Sequence, residues 1–150
     1  MKDVILLVED NVNDQELTLR ALRKNNLTTD VVTVGDGVEA LDYLFGTGRY
    51  ADVKDRPTPR VVLLDLKLPR LGGIDVLRRL RADARTKWLP VVIFTSSRED
   101  QDIIEGYRFG ATSYVRKPVL YTEFLEAVRE LGLYWLMRNE RPPHAPDNAG

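Results

Sequence analysis

The chain has 150 residues, 43% of them hydrophobic and 30% charged, with a formal net charge of −1 and no cysteine. That is the size and balance of one folded domain with a real core, and it excludes disulfides and thiolate metal sites. The charge argues against a dedicated nucleic-acid binder, and apolar runs of four or five residues fall far short of the ~20 a membrane span needs.

The first strand is expected at Val4–Val8, early enough to leave no room for a signal peptide, and a reducing cytoplasm suits the chain. Asn13 with Glu16 three residues later forms a plausible helix start, a variant of the capping box. The helix that follows, over about 14–25, would bury Leu17, Ala21 and Leu22. Thr29–Val34 reads as a second strand and Asp36–Gly37 as a turn. Val38, Leu41, Leu44 and Phe45 then recur at helical spacing. Residues 46–60 are polar and contain Gly46, Gly48, Pro57 and Pro59. A connection of that length is uncommon inside a domain, and such loops are often functional or mobile.

The third strand, 61–64, runs into Asp65 and a turn with Pro69 and Gly72–Gly73. Ile74, Leu77 and Leu80 mark a third helix, on which Arg78–Arg79–Leu80–Arg81 reads as the solvated face. Pro90 opens a fourth strand, VVIF at 91–94, which runs into Thr95. Ser97 is a candidate cap for a fourth helix with Ile103, Ile104 and Tyr107, closed near Gly110. A short fifth strand at Tyr114–Val115 leads to Lys117–Pro118, and a last helix spans about 122–137. Residues 139–150 contain three prolines and almost nothing apolar, and read as a disordered or solvated tail. The order is βαβαβαβαβα, with right-handed crossovers expected.

Continuous runs of branched apolar residues are the mark of parallel strands buried on both faces. Parallel strands share one direction, so their carboxyl ends line one edge of the sheet, where ligands of open α/β sheets bind. The pattern therefore gathers Glu9, Asp10, Asp65, Thr95 and Lys117 in one cleft. Three carboxylates at close range are costly without a compensating charge. A hard divalent cation such as Mg²⁺ supplies it, binding through oxygen ligands and commonly through a phosphoryl oxygen as well. Lys117 can pair with a carboxylate or a phosphoryl oxygen, and Thr95 offers a hydroxyl donor. Positioning and charge neutralisation are what phosphoryl transfer requires, and an Asp carboxylate is an accepted nucleophile for it. Any one of these residues alone is most simply a solvated strand-end side chain; their conjunction at four strand ends is not.

Val8–Glu9–Asp10–Asn11, the run Leu64–Asp65–Leu66–Lys67–Leu68–Pro69 with Gly73 eight residues after Asp65, Phe94–Thr95–Ser96 and Tyr114–Val115–Arg116–Lys117–Pro118 together resemble the receiver domain of two-component response regulators. The resemblance covers residues 3–138. It implies a flavodoxin-like (βα)₅ fold, a doubly wound parallel sheet of strand order 2-1-3-4-5. It further implies a domain over 1–138 with an extended C-terminal helix, ahead of the tail at 139–150. Carried over by position, Asp65 is the phosphoacceptor. Asp10 and Asp65 are direct Mg²⁺ ligands, Glu9 acts through water, and the Lys67 backbone carbonyl completes the set, with Mn²⁺ an acceptable substitute. Thr95 and Lys117 contact the phosphoryl group. Tyr114 is an aromatic switch that turns inward as Thr95 moves, and the bond to Pro118 is cis. Lys67 and Ser97 occupy the variable positions that tune acyl-phosphate hydrolysis, and Lys67 is expected to reach over the site and slow water attack. Many receivers have Asp–Asp where this chain has Glu9–Asp10.

The long loop 46–60 and the segment Phe124…Gly132–Leu133–Tyr134–Trp135–Leu136 resemble, more narrowly, small stand-alone regulators paired with phytochrome-type histidine kinases. The last helix has Phe124, Val128, Leu131 and Trp135 as a stripe toward the sheet. Leu125, Leu133, Tyr134, Leu136 and Met137 add more apolar surface than one face buries. Tyr134 and Met137 folding back over a strand edge is one account; a partner face at Tyr134, Leu136 and Met137, forming a homodimer, is the preferred one.

The expected function is a single-domain response regulator: a sensor histidine kinase, of phytochrome type, donates a phosphoryl group to Asp65, and a protein-interaction face switches. No DNA or membrane partner is expected. The domain is a phosphoacceptor, not an enzyme on other substrates. An aspartyl phosphatase of the same fold would want a second carboxylate two residues past the nucleophile, where Lys67 stands. A phosphate sink and a constitutive pseudo-receiver are the alternatives, and the intact Asp10, Asp65, Thr95 and Lys117 argue against the second.

Overall fold

In the computed structural model, residues 4–25, 30–96, 100–117 and 121–130 are described. Five strands, β1 (Val4–Val8), β2 (Asp30–Val34), β3 (Val61–Leu64), β4 (Val91–Thr95) and β5 (Ser113–Arg116), form one sheet. They are all parallel, in the order β2-β1-β3-β4-β5. Helices α1 (Val12–Lys24), α2 (Gly37–Phe45), α3 (Gly73–Ala82), α4 (Asp100–Arg108) and α5 (Tyr121–Glu130) connect or follow them. This is the expected doubly wound (βα)₅ fold.

The apolar runs are split by the two-residue period of a strand. Leu6, Val8, Val62, Leu64, Val91 and Ile93 pack on one side with α2 and α3 residues such as Leu44, Leu77 and Leu80. Ile5, Leu7, Val61, Leu63, Val92 and Phe94 pack on the other with Ala21 and Leu22 of α1 and Val128 of α5. Each fully buried Leu or Ile contributes on the order of 2 kcal/mol by leaving water. The inner strands β1, β3 and β4 are buried along their whole length, whereas β2 and β5, at the edges, are only partly covered.

Several expectations shift in detail. The cap of α1 is Asn11 rather than Asn13: its side chain accepts from the Asp14 N–H at 3.0 Å, and the helix starts at Val12. Asp36 caps α2 in the same way, accepting from the Glu39 N–H at 2.7 Å, so the expected turn is a helix start. Gly46 ends that helix in the left-handed region at φ 68°, where glycine is unstrained.

The long connection after α2 is packed rather than loose. It begins with a 3-10 turn at Gly48–Tyr50; the Tyr50 ring meets Tyr43 edge-on at 5.2 Å, and the Tyr43 hydroxyl donates to the Pro57 carbonyl at 2.8 Å. Ile104 and Tyr107 of α4 are more than half exposed, so the apolar face expected there is only partly buried. Leu125, assigned to surplus surface, packs against the α1–α5 side of the core. The expected last helix beyond residue 130 and the tail at 139–150 lie outside the described residues.

Candidate functional site

The ladder continues one residue past β1, β3 and β5, and that fixes the site. The Glu9 N–H bonds to Val34 O at 3.0 Å, Asp65 N–H to Val8 O at 3.1 Å, and Lys117 N–H to Thr95 O at 2.8 Å. These bonds hold the backbones that present Glu9, Asp65, Thr95 and Lys117 at the carboxyl edge of the sheet. Of the expected set, carboxylate oxygens of Glu9, Asp10 and Asp65 lie within 4.8 Å of one another. Glu9 and Asp65 are buried and Asp10 is exposed. Thr95 is fully buried at the end of β4.

Lys117 joins the cluster. Its side chain is only 7% exposed, and its ammonium donates to Asp65 Oδ2 at 2.9 Å, to Asp14 Oδ2 at 3.0 Å and to Glu9 Oε1. Burial pushes the Glu9 carboxyl up to about 7 from an ordinary 4.5; the Lys117 hydrogen bond opposes that rise and the Asp65 charge adds to it. For Lys117, burial favours the neutral amine, but the bonds to Glu9, Asp65 and Asp14 and the Asp65 charge outweigh it and raise its pKa. The other Asp65 oxygen, Oδ1, accepts from the Lys67 N–H at 3.2 Å. Both carboxylate oxygens of Asp65 are thus held.

The loop after β3 is fitted to this site. A Cβ on Gly73 would stand 2.3 Å from the Asp65 carbonyl oxygen, so only glycine lets α3 start that close to the acceptor. Arg70 adopts φ 66°, a strained value for a residue with a Cβ. Its guanidinium pairs with the α2 cap Asp36 at 3.2 Å, tying the β3–α3 loop to the start of α2.

The Lys67 side chain departs from expectation. Its ammonium is 3.4 Å from Asp102 Oδ2 on α4, and the side chain is 60% exposed. It is drawn sideways toward α4 instead of over the Asp65 carboxylate. Tyr114 is half-buried on the α2–α3 side of the core, with its ring 6.4 Å from that of Tyr107. Ser97, Pro118, Tyr134, Leu136 and Met137 lie outside the described residues.

Asp14 was not anticipated. Placing the cap at Asn13 put Asp14 at the lip of the helix instead of inside its first turn. With the cap at Asn11, Asp14 falls in the first turn of α1, and its carboxylate reaches the Lys117 ammonium. A first-turn carboxylate so few residues after the acidic pair was the available signal.

Residues 5–129 match the family described as the response regulator receiver domain. The chain belongs to that family. Among solved structures, the receiver is similar to the phosphorylated cyanobacterial phytochrome response regulator RcpA, at 34% identity and a TM-score of 0.83, over 95% of this chain and 99% of that one. It is also similar to the Mn²⁺-bound form of response regulator Rcp1, at 30% identity and a TM-score of 0.82, over 93% of this chain and 99% of that one. The probable methanogenesis regulatory protein FilR2 of Methanothrix harundinacea is 37% identical over 93% of this chain and 87% of the relative. The receiver is therefore related to phytochrome response regulators, within a family that also serves other pathways.

Proposed function

We propose that this receiver is a phosphorylation switch, in which Asp65 accepts a phosphoryl group from a sensor histidine kinase with the help of a bound divalent cation. The observation that supports it most is the convergence of Glu9, Asp10 and Asp65 within 4.8 Å, with Glu9 and Asp65 both on the Lys117 ammonium. In the transfer, an Asp65 carboxylate oxygen forms a bond to phosphorus while the bond from phosphorus to the kinase imidazole nitrogen breaks. The electron pair stays on that nitrogen. Lys117 and Thr95 offer donors to the phosphoryl oxygens as charge shifts onto Asp65.

The donor set fits Mg²⁺, or Mn²⁺ in its place: clustered carboxylates, with the Lys67 carbonyl on the same loop, are hard oxygen ligands. Bound there, the cation would neutralise the acidic cluster and the phosphoryl oxygens together. Asp10, Asp65 and the Lys67 carbonyl would hold it, with Glu9 acting through water, and Lys117 would supply the remaining positive charge.

Phosphorylation adds a dianion at a buried site and draws Thr95 toward it, and Tyr114 follows. The response then reaches the face around the last helix by way of Tyr114, whose ring lies 6.4 Å from that of the exposed Tyr107 on α4. A second copy of the chain, contributing Tyr134, Leu136 and Met137, is the proposed occupant of that output surface. Lys67 and Ser97 set the lifetime of the acyl phosphate, and the Lys117–Pro118 bond is cis. The protein works in the cytoplasm. Similarity to RcpA points to a phytochrome-type kinase as donor.

The test is phosphotransfer from purified histidine kinases labelled on histidine. A phytochrome-type kinase should label the parent within seconds in Mg²⁺ and leave Asp65→Asn unlabelled. Equal or faster transfer from unrelated kinases would remove the phytochrome assignment, and labelling of Asp65→Asn would remove Asp65 as acceptor.

A further inference from the structure

An ammonium has three N–H donors, and three carboxylates take those of Lys117. Two of them, Glu9 and Asp65, are nearly inaccessible, with side-chain exposures of 3% and 7%. The third, Asp14, is 35% exposed and reaches the ammonium from the solvent side of the cleft. Its carboxylate has no cap to make, because Asn11 already serves the start of α1. An acidic residue in a helix's first turn is favourable anyway, but that need does not require it to be directed at a buried lysine.

When Asp65 carries a phosphoryl group, the N–H now on Asp65 Oδ2 turns to a phosphoryl oxygen, and the shift of the ammonium stretches its other two contacts. Glu9 is the most buried of the three acceptors and Asp65 is the phosphorylated residue itself. Asp14 is the acceptor that water can take over at least cost. The two contacts, 3.0 and 2.9 Å from the shared nitrogen, bound the separation of the Asp14 and Asp65 oxygens at about 6 Å. At that range the Asp14 charge opposes an arriving phosphoryl dianion and favours a cation, unscreened by a Debye length of ~8 Å.

We infer that Asp14 is a positioning residue for Lys117: it holds the ammonium toward α1 in the resting protein and is the contact released when Asp65 is phosphorylated. It thereby slows phosphorylation while strengthening cation binding. The inference rests on the receiver reading of the site.

The test compares the parent, Asp14→Asn and Asp14→Glu in two measurements on the full chain. The first is Mg²⁺ affinity by calorimetry without any phosphoryl donor; the second is the rate of acetyl phosphate labelling at saturating Mg²⁺, followed by intact mass. Asp14→Asn should bind Mg²⁺ about three- to tenfold more weakly and yet be labelled about three- to tenfold faster. Asp14→Glu should return both toward the parent. In a Lys117→Gln background, Asp14→Asn should keep only the smaller gain that direct charge repulsion gives, because the part acting through the ammonium is gone. A merely structural role moves affinity and rate down together, and that result overturns the assignment. So does a parent-like rate and affinity in Asp14→Asn. If the parent itself accepts no phosphoryl group, the receiver reading falls and takes this inference with it. If the parent is labelled and only the Asp14 variants behave like it, the Asp14 assignment alone falls.

Discussion

Replacing Lys117 by Gln keeps a polar side chain, one bond shorter, and removes its charge. Lys117 is 7% exposed and neutralises Glu9 and Asp65, themselves 3% and 7% exposed, so screening by solvent gives little relief. Breaking a buried pair in this way costs about 3–5 kcal/mol when the orphaned charge stays ionised. A proton can stand in for the ammonium, however, and Glu9 is where it would sit.

Burial has already raised the Glu9 pKa from 4.5 to about 7 in the parent. A raised folded-state value stabilises fully below the unfolded value, and that contribution is lost as pH rises through the folded one. Without the Lys117 hydrogen bond, which lowers the Glu9 value, the variant's folded pKa is higher still. Its loss window therefore extends above pH 7, where the parent has finished losing. Between about pH 6 and about pH 8 the stability gap between parent and Lys117→Gln should widen by about 1–2 kcal/mol, at no more than ~1.4 kcal/mol per pH unit.

Urea unfolding reads this directly. With a slope of ~1–3 kcal/mol/M, the variant's midpoint should fall by about 1–3 M at the alkaline end and by less at the acid end. Millimolar Mg²⁺ should close part of the gap, because the folded variant, lacking the Lys117 charge beside its carboxylates, binds the cation more tightly than the parent. A gap that is the same at every pH, or that narrows as pH rises, would refute the placement of a proton-binding Glu9 against Lys117.

Other perturbations probe separate parts of the structure. Mg²⁺ must displace the proton that burial holds on Glu9, so its affinity should rise from about pH 6 toward about pH 7.5 and then level off. Calorimetry on Glu9→Gln should show that pH dependence flattened; an unaltered profile would place the proton elsewhere. Gly37→Ala sets a methyl group 2.0 Å from the Leu71 carbonyl oxygen, a backbone atom. It should cost about 1–3 kcal/mol in urea unfolding, and a neutral outcome would mean α2 does not approach the β3–α3 loop that closely. Leu80→Ala, at a fully buried position of α3, should cost about 2–5 kcal/mol. A loss below 1 kcal/mol would contradict the packing of α3 on the sheet.

The fold was legible because its strands are apolar throughout. VILLV, VVLL and VVIF admit no exposed face, so a parallel sheet covered on both sides followed, and the strand ends then located Glu9, Asp65, Thr95 and Lys117. What the residues alone did not give was the direction of long side chains. Lys67 has four flexible methylenes, and its pairing with Asp102 depends on where α4 lies, which no local pattern encodes. The helix start was misplaced for a related reason. Asn11 and Asn13 are both good caps by type, and the choice between them is made by how β1 hands the chain to α1. That two-residue shift hid Asp14. The 46–60 connection looked loose because its anchors, the Tyr43 hydroxyl on Pro57 and the Tyr43–Tyr50 ring contact, form only after the chain folds back.

The most direct test of the account is intact mass spectrometry after incubation with acetyl phosphate, on the parent and on Asp65→Asn, with and without Mg²⁺. The account predicts a gain of one phosphoryl group by the parent, dependent on Mg²⁺ and lost in Asp65→Asn. A gain that persists in Asp65→Asn, or no gain by the parent from either acetyl phosphate or a labelled histidine kinase, would contradict it.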